Sequence, residues 1–146
     1  MKNSSKEKMK LEQTLILLKP DAIQRLLIGK IVAIIESKGM KIVAAKLTVL
    51  DKKAASQHYS EHIGKPFFDD LVSFITSGPI FAMILESENA VSITRNMIGD
   101  TNPATANPGT IRGDLASSIS HNLIHGSDSA KSADKEISLF FKQEEI

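Results

Sequence analysis

An imidazole at the end of a strand, followed by small polar residues, is a candidate nucleophile. The segment Asn122-Leu123-Ile124-His125-Gly126-Ser127-Asp128-Ser129 offers one at His125. Gly126 leaves space beside the ring, and the serines after it can cap a following helix. Glu136, in the middle of that helix, is placed to reach back and hold one ring nitrogen so that the other is free to attack. This is the orienting logic of a hydrolase triad without its serine. Cations and a hydroxyl stand beside glycine and proline breaks: Lys19 at a strand end, Arg95 in a helix, Thr101 and Arg112 around a long loop. Phosphoryl transfer needs such a spread, because the charge on the moving group must be neutralised from several directions while the atoms are held in line. Taken singly, each of these residues also fits a plain structural role, and His125 is only one of four histidines.

Any phosphate site here has to be built from side chains. The nearest approach to a P-loop, Ile28-Gly29-Lys30-Ile31, lacks the first glycine and the hydroxyl residue that would meet magnesium, and no GxGxxG is present. Lys and Arg number 18 against 17 Asp and Glu, a net charge of +1, so neither nucleic acid nor a membrane surface is an expected partner. The chain has no cysteine, which excludes disulfides, thiolate metal sites and thiol catalysis and makes a cytoplasmic location the simple expectation. Lys2, Lys6, Lys8 and Lys10 are followed by no signal-peptide-like apolar run, and no apolar stretch approaches a membrane span.

The elements that must position these groups follow from periodicity. At 146 residues and 42% hydrophobic, the chain has material for one core. Residues 1–13 read as a loose, lysine-rich extension, and residues 14–146 as one domain. An apolar strand over 14–18 stops at Lys19-Pro20-Asp21, where proline cannot donate to a ladder. Ile28, Ile31, Val32 and Ile35 recur at helical spacing before Gly39, and a second strand covers 41–50. Asp51 opens a helix; Phe68, Leu71, Val72 and Ile75 form the face of another, which Ser77-Gly78-Pro79 ends. A third strand over 80–85 leads to a helix capped by Asn89, with Val91, Thr94 and Ile98 on one face. Residues 99–113 form a long loop of the kind that usually carries function. A last strand over 122–125 and a helix bearing Ala133, Ile137, Phe140 and Phe141 complete an α+β sandwich. A regular strand would send Asn122 and His125 to opposite faces, so this segment must bend if both are to touch one ligand. His58 and His62 read as solvent-facing or as local caps, and His121 has no evident partner.

Six stretches together resemble the signatures of nucleoside diphosphate kinases, in the family's order. They are Thr14-Leu15-Ile16-Leu17-Leu18-Lys19-Pro20-Asp21-Ala22, His62-Ile63-Gly64-Lys65-Pro66-Phe67-Phe68, Ser77-Gly78-Pro79, Gly99-Asp100-Thr101-Asn102-Pro103, Pro108-Gly109-Thr110-Ile111-Arg112-Gly113-Asp114 and the His125 segment. The resemblance implies a ferredoxin-like sandwich: a four-stranded antiparallel sheet covered by helices, with a long loop before the last strand. It implies γ-phosphoryl transfer from a nucleoside triphosphate to a diphosphate by a ping-pong mechanism, with His125 phosphorylated on Nδ1 and Glu136 and Ser127 supporting the ring. On the same resemblance Arg95, Thr101 and Arg112 would bind phosphates, and Tyr59 and Lys19 would line their pocket. Lys19 and Asn122 would meet the ribose, while Phe67 stacks on the base with Ile119 opposite. Mg2+ would bridge the nucleotide's own phosphates, with no protein metal ligands. Partners would be ATP and other nucleoside di- and triphosphates, and further copies of the chain in a homotetramer or homohexamer. Stacking on Phe67 reads only an aromatic face, so low base specificity is also a physical expectation. Ser120 stands where the family commonly has glycine, and Phe140 where it commonly has tryptophan.

Two other readings remain at this point. One is a domain that binds nucleotides or nucleic acid without turnover, although every matched catalytic residue is present. The other is a phosphohistidine phosphatase, a class marked by Arg-His-Gly, whereas Ile124 precedes His125 here.

Overall fold

The computed structural model describes residues 10–146. The expected extension falls largely on residues 1–9, outside the described residues; its last part, Leu11 to Gln13, lies in the first strand. That strand, β1 (Leu11–Leu18), is followed by α1 (Pro20–Gln24), α2 (Ile28–Ser37), β2 (Lys41–Thr48), α3 (Lys52–His58) and α4 (Phe68–Ile75). Then come β3 (Ile80–Glu88), α5 (Ala90–Ile98), α6 (Ile111–Leu115), β4 (Ile124–Gly126) and α7 (Ala130–Phe140). The four strands form one antiparallel sheet in the order β2-β3-β1-β4.

The central strand explains its own sequence. Thr14 to Leu18 are all buried, and successive residues feed different cores. Leu15 and Leu17 pack with Ala55 of α3, Val72 and Ile75 of α4, and Ile137 and Phe140 of α7. Ile16 and Leu18 pack with Ala22, Ile31, Ile35, Ala90 and Ile98 of α1, α2 and α5 on the opposite face. A strand covered on both sides has no polar face, which is why this run is continuously apolar.

Several boundaries differ from the sequence reading for local reasons. Pro20 begins a helix, its fixed φ and missing N–H suiting the first position. The expected long loop, 99–113, runs into α6, which starts inside it and is capped by Thr110, whose hydroxyl accepts from Gly113 N. Asp51 caps α3 as expected, accepting from Ala54 N at 2.8 Å. Asn89, by contrast, occupies the left-handed region at φ 53° and its side chain makes no cap bond. Glu12 from β1 accepts from Val91 N at 2.8 Å in its place, so α5 is capped across the sheet. The last strand starts at Ile124, because Leu123 has φ +74°. No helix among the described residues is long and apolar enough to cross a membrane.

Candidate active site

Register decides which way the nucleophile faces. Leu17 of β1 is the partner of His125 in β4, and Leu17 belongs to the core beneath α7. His125 therefore projects toward α7, while Ile124 joins the opposite core. Gly126 also faces that second core: a Cβ there would lie 2.7 Å from Ile98 Cδ1. The glycine after the histidine thus lets β4 close on α5; clearing space beside the imidazole is not its main service.

Glu136 meets the ring as expected. Its Oε1 lies 3.0 Å from His125 Nε2 and accepts a bond of 2.7 Å from Ser127 Oγ. Ser127 therefore acts on the carboxylate and through it on the imidazole. Burial tends to raise the Glu136 pKa, but the bonds from His125 and Ser127 and the nearby imidazoles outweigh it and hold the carboxyl below its usual range. A carboxylate at Nε2 fixes the proton there and leaves Nδ1 with the lone pair.

The bend that the sequence demanded is at Leu123. A left-handed non-glycine residue costs about 1–2 kcal/mol, and here the flanking polar groups hold it. Leu123 N donates to Asp21 Oδ2 at 3.1 Å, and Leu123 O accepts from Lys19 N at 2.8 Å. Arg112 donates to Asn122 O, Ile124 O and Gly99 O, tying the bend to the end of α5. Asn122 is thereby turned into the same pocket as His125. Its Oδ1 accepts from Lys19 Nζ at 2.9 Å and its Nδ2 donates to Thr101 O at 3.0 Å. Burial, then the Arg112 charge, pushes the Lys19 ammonium down to about 8, with Asp21 opposing.

The pocket, about 630 Å³, brings together Lys19, Tyr59, Phe67, Thr101, Ile119, Asn122 and His125. Phe67 and Ile119 are exposed at its outer part. Arg95 lies in an adjoining cavity of about 310 Å³ that shares Thr101, and donates to Gly126 O at 3.2 Å. Arg112 lines neither space: it is buried and committed to three carbonyls, although a guanidinium has five donors and retains others. Its pKa falls to about 10 through burial and the Arg95 charge, so it stays cationic. Burial and the Glu136 charge raise Tyr59 to about 12, keeping its hydroxyl protonated.

His58 corrects the sequence reading, which put it in solvent or at a cap. It is half-buried at the end of α3, its ring 4.8 Å from that of His125 and 5.3 Å from Phe140. Burial first, then the His125 charge, lowers its pKa to about 3. The available signal was its place beside Tyr59, already assigned to the pocket. His121, expected without a partner, packs edge-on against Phe74 at 4.7 Å and accepts or donates a bond with Ser120 Oγ at 3.2 Å.

Fold and pocket together define a class: a nucleotide phosphotransferase that works with side chains in place of a glycine-rich loop. Residues 12–146 match the profile of the family described as nucleoside diphosphate kinase. A nucleoside diphosphate kinase of Listeria welshimeri is 57% identical over 136 residues, covering 93% of this chain and 92% of the relative. One of Staphylococcus haemolyticus is 54% identical over 136 residues, 93% of this chain and 91% of that one. Among solved structures, a halophilic nucleoside diphosphate kinase of Halobacterium salinarum in complex with CDP superposes with a TM-score of 0.91 at 49% identity, covering 93% of this chain and 91% of that one. A family protein of Babesia bovis gives 0.90 at 46% identity, covering 92% and 90%. The chain belongs to the nucleoside diphosphate kinase family, and its activity is phosphoryl transfer between nucleoside tri- and diphosphates.

Proposed function

We propose that His125 carries the phosphoryl group through Nδ1, and that one pocket serves both halves of a ping-pong cycle. The observation that carries this is the 3.0 Å contact between Nε2 and Glu136 on a residue that lines the pocket, which leaves Nδ1 as the nucleophile. In the first half Nδ1 attacks the γ-phosphorus of a triphosphate in line, the β–γ bridging bond breaks and the diphosphate departs. Charge builds on the ring as the N–P bond forms, and Glu136, held by Ser127, stabilises it. A second diphosphate then takes the group by the reverse path.

Arg95 and Thr101 bind the phosphates from the adjoining cavity, and the remaining donors of Arg112 add charge from below. Tyr59 lines the same approach. Lys19 and Asn122, already bonded to each other, meet the ribose hydroxyls. Phe67 stacks on the base with Ile119 opposite, which favours low base specificity. The halophilic relative was solved with CDP, which supports a nucleoside diphosphate as ligand of this pocket. Mg2+ would be held mainly by the nucleotide and not by protein ligands, and would supply charge to offset that of the phosphates. The described donor set around His125, two imidazoles and one carboxylate, does not match magnesium's preference for oxygen. A homo-oligomer, tetramer or hexamer, in the cytoplasm is the assembly that the family suggests.

The test is to incubate the protein with γ-labelled ATP and Mg2+, then chase with GDP. Acid-labile label on the protein that passes to GTP is expected. Inorganic phosphate as the product would mark a phosphatase, and absence of label with intact nucleotide binding would mark a non-catalytic domain.

A further inference from the structure

A second cavity lies behind the nucleophile, apart from the nucleotide pocket. It has a volume of about 310 Å³ between α3 and α7, and His58, Glu61, Lys135 and Glu136 are among its lining residues. His125 lines the nucleotide pocket, so the two spaces meet across the contact between His125 and Glu136. Neither ring nitrogen of His58 has a hydrogen-bond partner among the described residues, although both are buried. Leaving a buried polar group unpaired is costly and calls for a reason. Donor atoms of His58, His125 and Glu136 all lie within 4.8 Å of one another.

We propose that His58, His125 Nε2 and Glu136 form an inhibitory site for a borderline transition-metal ion of the Zn2+ type, which enters through this rear cavity. Two imidazoles and a carboxylate are a ligand set that Zn2+ takes, with water from the cavity in the fourth position. At Zn–N and Zn–O lengths of about 2.0–2.2 Å, tetrahedral ligands sit about 3.3 Å apart. The 3.0 Å separation of Nε2 and Oε1 is already close to this, and the His58 donor, within 4.8 Å of both, needs to move in by at most about 1.5 Å.

Inhibition follows from tautomerism. Neutral His125 holds its single ring proton on Nε2, against Glu136. A metal at Nε2 takes that nitrogen's lone pair, and the proton moves to Nδ1 with none released. Nδ1 then has no lone pair for phosphorus. The ion blocks transfer while the front pocket remains open to nucleotide.

The metal-binding arm uses untagged whole protein without nucleotide. Titration calorimetry with Zn2+ should show one ion per chain, and Co2+ should give the visible absorption of a tetrahedral centre. Both signals should weaken at least tenfold in His58→Phe, His58→Gln and Glu136→Gln and persist in His121→Gln. The inhibition arm measures single-turnover labelling from γ-labelled MgATP with free Zn2+ buffered. Labelling of wild type should slow at least tenfold, whereas any His58 variant should label at a rate that Zn2+ leaves unchanged, whatever that rate is. Equal slowing in a His58 variant assigns the effect to the nucleotide or another site and overturns the proposal, as does a metal signal indifferent to His58 and Glu136. The inhibition arm rests on His125 being the nucleophile; the binding arm does not, so its failure is distinguishable from a failure of that assignment. If the Phe variant fails to fold, the Gln variants decide.

Discussion

The two ends of the pocket are built on different plans. Around His125 the side chains are buried and bonded: Ser127 is 1% exposed, Asn122 2% and Arg112 5%, and each makes hydrogen bonds to the strand or to its neighbours. At the other end stand two apolar side chains that are largely open to solvent, Phe67 at 45% exposed and Ile119 at 58%. On the proposed reading, rigid polar geometry is spent on the phosphates, which every substrate shares, and the more open end receives the base, which varies. Hydrogen bonds that are preorganised discriminate strongly, whereas stacking discriminates little. An enzyme that accepted every base would use both plans in one pocket.

The comparison would break first at the fixed end. His125→Ala should abolish the acid-labile label and transfer altogether, since no other described side chain occupies its place in β4; residual labelling at a measurable rate would displace the nucleophile. Arg112→Ala should come next, with a loss of about 100-fold or more in kcat, on the scale of removing one preorganised donor from a transition state. The residue supports the Leu123 bend and, on the proposed reading, also supplies charge to the phosphates. Loss of thermal stability together with kcat is therefore expected, and Arg112→Ala with normal kcat would show that the bend needs no brace.

Glu136→Ala should slow labelling by about 10- to 100-fold, the usual effect of losing a residue that orients a reactive imidazole. Glu136→Gln, which keeps an acceptor for Nε2, should lose less. Equal rates for both variants and wild type in a rapid-quench experiment would remove Glu136 from the mechanism. This pairing was legible in the sequence because both partners sit on adjacent short elements at a spacing that a strand and a helix fix. The four strands and the main helices were legible for the same reason, through runs and periodicity. Other features depend on distant contacts and leave no local trace. Glu12 caps α5 from across the sheet, and Arg112 serves the bend more than the open pocket. His58 enters the site only because α3 and α7 pack on one face of the sheet. The bend itself was foreseeable as a necessity from Asn122 and His125, but not its location at Leu123, because leucine gives no sign of a positive φ.

Lys19 joins the two plans, since it is half-buried and lines the pocket beside Asn122 and His125. Its ammonium is lowered to about 8, so the cation present below that pH is lost as pH rises through it. Because kcat/KM reports the free enzyme, it should fall with an apparent pKa near 8, by about tenfold one unit higher, while kcat in the nucleotide complex stays flatter. Lys19→Arg should move this limb well above pH 9. A wild-type profile flat to pH 10 would mean that the ammonium is not needed for binding.

The smallest effect belongs to the open end. Stacking on one aromatic ring is worth about 1–3 kcal/mol, and for a ring as exposed as Phe67 the lower limit applies, giving about a fivefold rise in KM for Phe67→Ala. Because the ring reads a face that all bases have, KM should rise by a similar factor for ADP, GDP, CDP and UDP, with kcat little changed. Steady-state KM values for the four diphosphates decide the matter. A rise confined to one base would mean that the slot reads an edge, with Asp70, Ser120 or His121 the nearby polar groups able to do so. The contrast between a discriminating end and a permissive end would then fail at the place where it makes its narrowest claim.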